Sequence, residues 1–212
     1  TNNTATIASG GAIINAGGAT LTISNSIFTG NSAGRHGSTL MSTFSSTMNN
    51  CLVYKNIGGN SVYVGTGSGV LGTFNNCTFA SNATKTAVPA GIYLSTPSAS
   101  NAQFRNCLFY DCGTKPINSD GAAPDVDYCG FDRDLSATWT GTGNIFTIIA
   151  SSFVDAAGDD YHLATGSTAI DAGTEIAACN PDLGGTARPQ GTAYDMGAYE
   201  FTPPTSVYAD KV

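Results

Sequence analysis

The stretch Asn50-Cys51-Leu52-Val53 decides the fold, because variants of it recur through the first 131 residues of this chain. The other copies are Asn25-Ser26-Ile27-Phe28, Asn76-Cys77-Thr78-Phe79, Asn106-Cys107-Leu108-Phe109 and the degenerate Tyr128-Cys129-Gly130-Phe131. Their second residues are 22 to 30 positions apart, which is a spacing typical of structural repeats. A single repeat of this size cannot bury its apolar face alone, so the pattern predicts a solenoid of stacked turns.

The composition of the repeats indicates which solenoid they form. They are rich in Thr, Ser, Asn and Gly and lack the 3.6-residue apolar periodicity of helical repeats. Each has a second short apolar run, such as Val62-Tyr63-Val64, and like residues at like positions fit parallel strands stacked about 4.8 Å apart. We predict an all-β, right-handed parallel β-helix of about six to eight turns, counting the apolar run Ile145 to Phe153 as a further strand. The insertion Lys85 to Ala90 is expected to form an outer loop.

Strand geometry predicts which side chains point inward. Side chains alternate along a strand, so the Cys of the motif shares a face with the apolar residue two positions later. The apolar residue three positions before the Cys has the wrong parity, so a corner must lie between them. The Asn before the Cys tolerates the left-handed backbone conformation and is the predicted corner residue. The cysteines then form an inward structural ladder, whose members are Cys51, Cys77, Cys107 and Cys129.

Six cysteines would ordinarily suggest disulfide bonds in an exported protein. Parallel Cβ atoms on stacked strands lie further apart than a disulfide prefers, so we expect the ladder cysteines to be reduced packing residues. Cys112 and Cys179 lie outside the ladder, and the sequence leaves their pairing open. Zinc is not expected, because the chain has no Cys-x-x-Cys pair and two His.

Charge is distributed unevenly along the chain. Residues 1–110 contain no Asp or Glu, and all 15 carboxylates lie from Asp111 onward in a chain of net charge −7. This balance argues against a nucleic-acid partner, and no apolar run reaches the roughly 20 residues of a membrane span. Any site that needs carboxylates must therefore lie in the second half of the sequence.

Two groups of acidic residues are candidates for such a site. The first is a candidate calcium or glycan site, which consists of Asp125, Asp127, Asp132, Arg133 and Asp134. Carboxylate pairs can cleave glycosidic bonds, and carboxylate clusters can bind calcium. Solvated charges at turns are the simpler interpretation and the one that we favour. We name no catalytic residue.

The second group lies among glycines near the C-terminus, where an Asp side chain can bond backbone N–H groups and hold a turn. Arg188 can bridge one of the carboxylates bidentately, so we expect a network that closes the C-terminal end of the solenoid. Calcium bound within this network is the alternative, and no other cofactor is expected. The candidate calcium ligands are Asp171, Asp182 and Asp195, and Glu200 belongs to the same group.

Four motifs in a fixed order mark this C-terminal part. They are Asp160-Tyr161-His162-Leu163, Ser167-Thr168-Ala169-Ile170-Asp171-Ala172-Gly173, Asp182 to Arg188, and Asp195-Met196-Gly197-Ala198-Tyr199-Glu200. The order resembles the closing segment of secreted bacterial pectin-lyase-like β-helix proteins with a choice-of-anchor domain, which have Pro where this chain has Thr168. The resemblance covers roughly residues 153–201 and implies a β-helix fold, export and, for many members, surface attachment. It implies no activity, because a fold is not a function.

The sequence thus divides into β-helix turns over 1–152, a closing segment of the same domain over 153–201, and a linker or tail over 202–212. It begins Thr-Asn-Asn without Met, so we expect a mature or excised segment of an extracellular or cell-surface protein. Our leading hypothesis is a non-catalytic module with a structural, adhesin-like or assembly role. The alternatives are a polysaccharide lyase or glycoside hydrolase, and a carbohydrate-binding module that uses outward Asn, Thr, Ser and Tyr side chains. The expected partner is a polysaccharide or another cell-surface protein, and the oligomeric state is open.

Overall fold

The fold is seen in a computed structural model that describes residues 1–65, 71–84, 91–95, 102–121 and 123–204. Short strands follow one another around one axis, and four of them make one turn. Strands of successive turns pair in parallel, which confirms the prediction of an all-β parallel β-helix. The predicted loop at Lys85 to Ala90 and residues 205–212 of the predicted linker lie outside the described residues.

The strands, numbered in chain order, form four parallel sheets that the chain visits in the order A, B, C and D. Sheet A contains β1 (Thr4–Ala5), β5 (Ser32–Ala33), β9 (Ile57–Gly58) and β13 (Ala83–Thr84). Sheet B contains β2 (Ile13–Asn15), β6 (Leu40–Ser42), β10 (Val62–Gly65), β14 (Ile92–Ser95) and β17 (Ile117–Ser119). Sheet C contains β3 (Leu21–Ser24), β7 (Ser46–Asn49), β11 (Gly72–Asn75), β15 (Gln103–Arg105) and β18 (Asp125–Asp127). Sheet D contains β4 (Ile27–Thr29), β8 (Leu52–Tyr54), β12 (Thr78–Ala80), β16 (Leu108–Tyr110) and β19 (Gly130–Phe131).

The solenoid is shorter than the sequence predicts. Four turns, β1 to β16, are followed by a partial fifth turn of β17 to β19, so the prediction of six to eight turns is wrong. After Phe131 the chain leaves the coil, and Ile145 adds a single bridge to Gly130. The rest forms the antiparallel pair β20 (Phe153–Asp155) and β21 (Asp160–Leu163) and two 3-10 turns, Ala150–Ser152 and Ala177–Cys179. Neither turn, nor any other helix among the described residues, is long and apolar enough to cross a membrane.

Like side chains lie above one another inside the coil. In sheet D, Phe79, Phe109 and Phe131 are in register, with ring centroids 5.3 and 5.1 Å apart and nearly parallel planes. In sheet C, the rings of Phe74 and Phe104 stack at 4.7 Å. All five rings are buried, and each stabilises the fold by about 1.5–3 kcal/mol through the apolar surface removed from water.

The four ladder cysteines lie buried at the corners between sheets C and D. The Cys77 thiol donates to the Met48 carbonyl of the preceding turn at 3.4 Å. All six cysteines are free, so Cys112 and Cys179 do not form a disulfide. Burial raises the pKa of Cys77 well above the usual value for a thiol, so this side chain stays protonated and acts as a small packing residue.

The residue before each ladder position turns the chain from sheet C to sheet D. These residues have left-handed φ angles of 47° to 54°, and they are Asn25, Asn50, Asn76, Asn106 and Tyr128. Asn adopts this conformation more readily than most residues, because its short polar side chain can bond locally. The predicted Asn corner is therefore confirmed, and it explains why the motif begins with Asn.

A second buried ladder, made of asparagines, lies at the corners between sheets D and A. The Asn31 amide donates to Asn56 Oδ1 at 2.9 Å, and the Asn56 amide donates to Asn82 Oδ1 at 3.1 Å. The same oxygens accept the backbone N–H groups of Asn31 and Asn56 at 2.9 and 3.0 Å. Because buried amides are costly when unpaired, this ladder stabilises the coil only while successive turns stay in register.

We expect Asn56→Ala to lower the free energy of unfolding by about 2–4 kcal/mol, because it leaves two buried N–H groups of Asn31 without their acceptor and removes one of the two donors to Asn82 Oδ1. Urea unfolding followed by circular dichroism measures this loss. Asn15→Ala is the matched control, since the Asn15 side chain makes one exposed bond, to the Ala19 carbonyl. Its cost should stay below about 0.5 kcal/mol. Equal costs for the two variants would show that the ladder contributes nothing specific.

Candidate functional site

The fold divides the first predicted ligand site into two groups, and the first group is Asp125 and Asp127. Both lie on the outer face of β18 beside Arg105 of β15. Arg105 Nη2 is 2.7 Å from Asp125 Oδ2 and 3.3 Å from Asp127 Oδ2. Asp127 Oδ1 also accepts the backbone N–H of Thr142 at 2.7 Å. These carboxylates fasten the last turn of the coil to its neighbours.

The second group, Asp132, Arg133 and Asp134, follows β19 at the end of sheet D. Arg133 Nε donates to Asp132 Oδ1 at 2.8 Å, and the backbone N–H of Asp111 donates to Asp132 Oδ2 at 2.7 Å. Asp134 Oδ1 accepts the hydroxyl and the backbone N–H of Ser136, which lowers the pKa of Asp134. The two groups are thus engaged in separate local contacts.

The acidic residues near the C-terminus form a buried network within the closing segment. Arg188 and Glu200 make an ion pair of 2.8 Å, and neither side chain is exposed. Arg188 also donates to the carbonyls of Asp195 and Gly197, at 3.1 and 2.9 Å. The backbone N–H of Gln190 donates to Glu200 Oε1 at 2.9 Å. Removing one partner from such a pair would leave a buried charge uncompensated.

The three residues considered as calcium ligands accept backbone N–H groups. Asp182 accepts from Thr186 and Glu200, both at 2.7 Å, and Asp195 accepts from Asp171 and Phe201 at 2.7 and 2.5 Å. Asp171 accepts from Ala193 at 2.9 Å. Across the described ranges, no group of three or more His, Cys, Asp or Glu is arranged to hold a metal ion. This geometry is that of a network that holds turns.

The closing segment covers the outer face of sheet D. Leu52, Ala80 and Leu108 of that face belong to a second hydrophobic cluster. The cluster is completed from the closing segment by residues that include Phe153, Tyr161, Leu163, Met196 and Tyr199. Sheet D therefore has apolar residues on both faces, whereas polar residues such as Thr47 and Thr73 occupy the outer face of sheet C.

Corner asparagines of the repeat hold this segment in place. The Asn50 side chain donates to the Pro181 carbonyl at 2.7 Å, and the Asn76 side chain donates to the Asp195 carbonyl at 3.0 Å. The Asn106 side-chain amide likewise donates to the Thr174 carbonyl at 2.7 Å. The Asn of the repeated motif therefore both turns the chain and binds the closing segment. Because that segment covers sheet D, we expect a ligand site on another face of the coil.

The outer face of sheet B carries what we call the aromatic patch, which is defined as His36, Tyr63, Tyr93 and Asp120. Tyr63 and Tyr93 are in register, with ring centroids 5.7 Å apart and planes 26° from parallel. The His36 ring lies 4.9 Å from Tyr63 and 5.9 Å from Tyr93. The Tyr93 hydroxyl donates to Asp120 Oδ2, and this bond raises the pKa of Tyr93 to about 12. All four side chains are at least partly exposed.

Sequence reasoning found only half of this patch. It expected outward Tyr side chains such as those of Tyr63 and Tyr93, but His36 and Asp120 lie at corners of other turns and carry no shared motif. Burial, assisted by the charge of Arg35, lowers the pKa of His36, so its ring is neutral at physiological pH and packs as an aromatic group. Aligning the turns by register, rather than by motif, would have brought these residues together.

Asp195 should make stability depend on pH. Burial raises its pKa from 3.8 to about 6, although the backbone N–H groups of Asp171 and Phe201 act in the opposite direction. A raised pKa stabilises the folded protein below about pH 4, and that contribution is lost as the pH rises through about 6. We expect the difference in unfolding free energy between wild type and Asp195→Asn to fall by about 2 kcal/mol from pH 4 to pH 7. Urea titrations at each pH measure it, and a difference that stays constant or grows contradicts the assignment.

No model of a known protein family matches this chain, and neither does any curated protein or solved structure. Its function is therefore inferred from the geometry of the acidic groups and the aromatic patch, and from the family resemblance of its C-terminal motifs described above.

Proposed function

We propose that this chain is a non-catalytic β-helix module of an extracellular or cell-surface protein, with an adhesin-like role. The observation that carries the proposal is that each Asp of the two predicted sites already binds a backbone N–H group or a neighbouring Arg. Hydrolysis of a glycosidic bond needs two carboxylates placed on either side of it, one of them able to donate a proton. Here the carboxylates hold turns, bind Arg side chains of the last turns of the coil and bond backbone groups within the closing segment.

The closing segment supports the surface location. Its motifs resemble those of secreted pectin-lyase-like proteins with a choice-of-anchor domain, and the residues of these motifs build the buried network around Arg188. In this proposal the network gives a rigid end to a module that is displayed outside the cell. The ladders of the coil supply a stiff scaffold, because each turn is fixed by the one before it.

Carbohydrate binding is the second candidate function, and the aromatic patch favours it. Aromatic rings pack against the apolar faces of sugars, while nearby polar groups bond the hydroxyls. Tyr63 and Tyr93 supply the rings, and Asp120 is exposed beside them. Asn118, next to Tyr93 in the register of sheet B, adds an amide on the same outer face.

A panel of acidic and neutral polysaccharides, tested with and without calcium, separates these functions from an enzyme. We expect no new reducing or unsaturated ends from any substrate, because no free carboxylate pair is seen in the predicted sites. The appearance of such ends, in proportion to protein concentration, would overturn the proposal in favour of a lyase or hydrolase.

The same panel tests the patch. For any polysaccharide that binds, we expect Tyr93→Ala to weaken binding about tenfold, which corresponds to the loss of one aromatic contact. Thr73→Ala, on the outer face of sheet C, is the matched control and should leave binding unchanged. Equal effects of the two variants would remove the patch as the binding surface.

A further inference from the structure

The last strands of two sheets are closed by the chain itself. In sheet C, the Val126 carbonyl of β18 accepts the Asn144 side-chain amide at 2.8 Å. In sheet D, Phe131 of β19 donates its N–H to the Ile145 carbonyl at 2.9 Å and accepts the Ile148 N–H at 3.0 Å. Exposed edges of sheets invite pairing with other chains, and these contacts occupy the Val126 carbonyl and both outward backbone groups of Phe131.

The last strand of sheet B is different. The Ile92 N–H donates to the Pro116 carbonyl at 2.8 Å, and the Asp120 N–H donates to the Leu94 carbonyl at 3.1 Å. Residues 116 and 120 therefore point their backbone groups at β14. Backbone groups alternate in direction along a strand, so the N–H and C=O of Ile117 point away from β14. No residue in the described part of the chain pairs with them.

A cavity of about 410 Å³ adjoins this edge. Its walls are residues 114–119 on one side and Leu135, Thr138 and Trp139 on the other, and its volume is in the range usual for ligand sites. Leu135 and Trp139 also pack against the main core. The Trp139 side chain is 8 % exposed, and its indole N–H has no acceptor among the described residues. A buried donor without a partner is costly, so a ligand that supplies an acceptor would be stabilised there.

We propose that this cavity binds an extended peptide, which adds a parallel strand to β17. The backbone groups of Ile117 need a partner with a donor and an acceptor two residues apart, and a β-strand has this arrangement. The neighbouring sheets favour the same occupant, because sheet D is closed by a backbone segment of the chain. Side chains of the peptide that point inward would lie on Ile117 and against Leu135 and Trp139, so they should be apolar. This site is separate from the aromatic patch and does not depend on it.

The register of sheet B defines the probe. The pentapeptide Gly-Ile-Tyr-Leu-Ser, the sequence of residues 91–95, is the strand that already pairs with β17 from the other side. Stacked in the same register, its Ile would lie over Ile117, and its Tyr N–H would donate to the Ile117 carbonyl. The N–H of its Leu would point away from β17. N-methylation at Tyr should therefore block pairing, whereas N-methylation at Leu should not.

Intrinsic fluorescence gives the readout, because Trp139 is the single tryptophan of the chain. We expect the acetylated and amidated peptide to change the Trp139 emission with saturation, and the peptide methylated at Leu to bind with similar affinity. Methylation at Tyr should weaken binding at least about tenfold, as expected for one lost hydrogen bond and the added clash. Trp139→Phe, followed with a fluorescein-labelled peptide, should weaken binding because it removes the indole N–H.

Four results would overturn the proposal. The first is no change in emission up to millimolar peptide, and the second is equal binding of the two methylated peptides, which would indicate unspecific apolar contact. The third is an emission change with oligosaccharides from the panel but not with the peptide, which would make the cavity a sugar site. Emission that changes with protein concentration alone, without any effect of the peptide, would point to a second copy of the chain and would also contradict it.

Discussion

Register between successive turns is the constraint on which the rest of this structure depends. Parallel strands about 4.8 Å apart place each side chain directly over its counterpart, so identical residues must tolerate contact with themselves. Flat rings such as Phe109 and amides such as Asn56 do this well, because rings stack and amides both donate and accept. A shift by one residue would exchange the inward and outward faces and expose the core. The motif repeats in the sequence because each turn must stay in register with the next.

The same register decides which surfaces are left for function. At three corners between sheets C and D, Asn50, Asn76 and Asn106 bend the backbone and donate their side-chain amides to the closing segment. Sheet D is covered in consequence, and the acidic residues of the closing segment are buried with it. Among the residues that the structure describes, the closing segment does not cover the outer face of sheet B, which carries the aromatic patch. The edge of its last strand meets the cavity beside Trp139. Both candidate binding surfaces thus lie at sheet B and not at sheet D, which the closing segment covers.

The sequence predicts the coil well, because stacking constrains every turn in the same manner. The Asn50 corner follows from parity along a strand, and the Phe79 and Phe109 stack follows from the repeat. The number of turns does not follow, since the run from Ile145 to Phe153 has the composition of a strand. In the structure it contributes one bridge to Gly130 and then leaves the coil.

The candidate sites are predicted less well, and for a physical reason. Asp127 and Asp132 are close in sequence, but the corner at Tyr128 turns the chain between them, so Asp127 lies in sheet C and Asp132 follows the last strand of sheet D. His36 and Tyr93 are far apart in sequence, yet two turns of the coil bring their rings within 5.9 Å. Proximity in a solenoid depends on register, and corner residues without a shared motif give no sign of their register.

A thiol-bridging reagent tests the register most directly. Thr47 and Thr73 are in register on the outer face of sheet C, and Gln103 lies one turn further. The double variant Thr47→Cys with Thr73→Cys places two thiols on adjacent strands, about 5 Å apart, whereas Thr47→Cys with Gln103→Cys separates them by about 10 Å. Dibromobimane fluoresces only after it bridges two neighbouring thiols, and the buried native cysteines should leave the wild type dark. The account predicts fluorescence from the first variant and not from the second, and equal or reversed signals would contradict it.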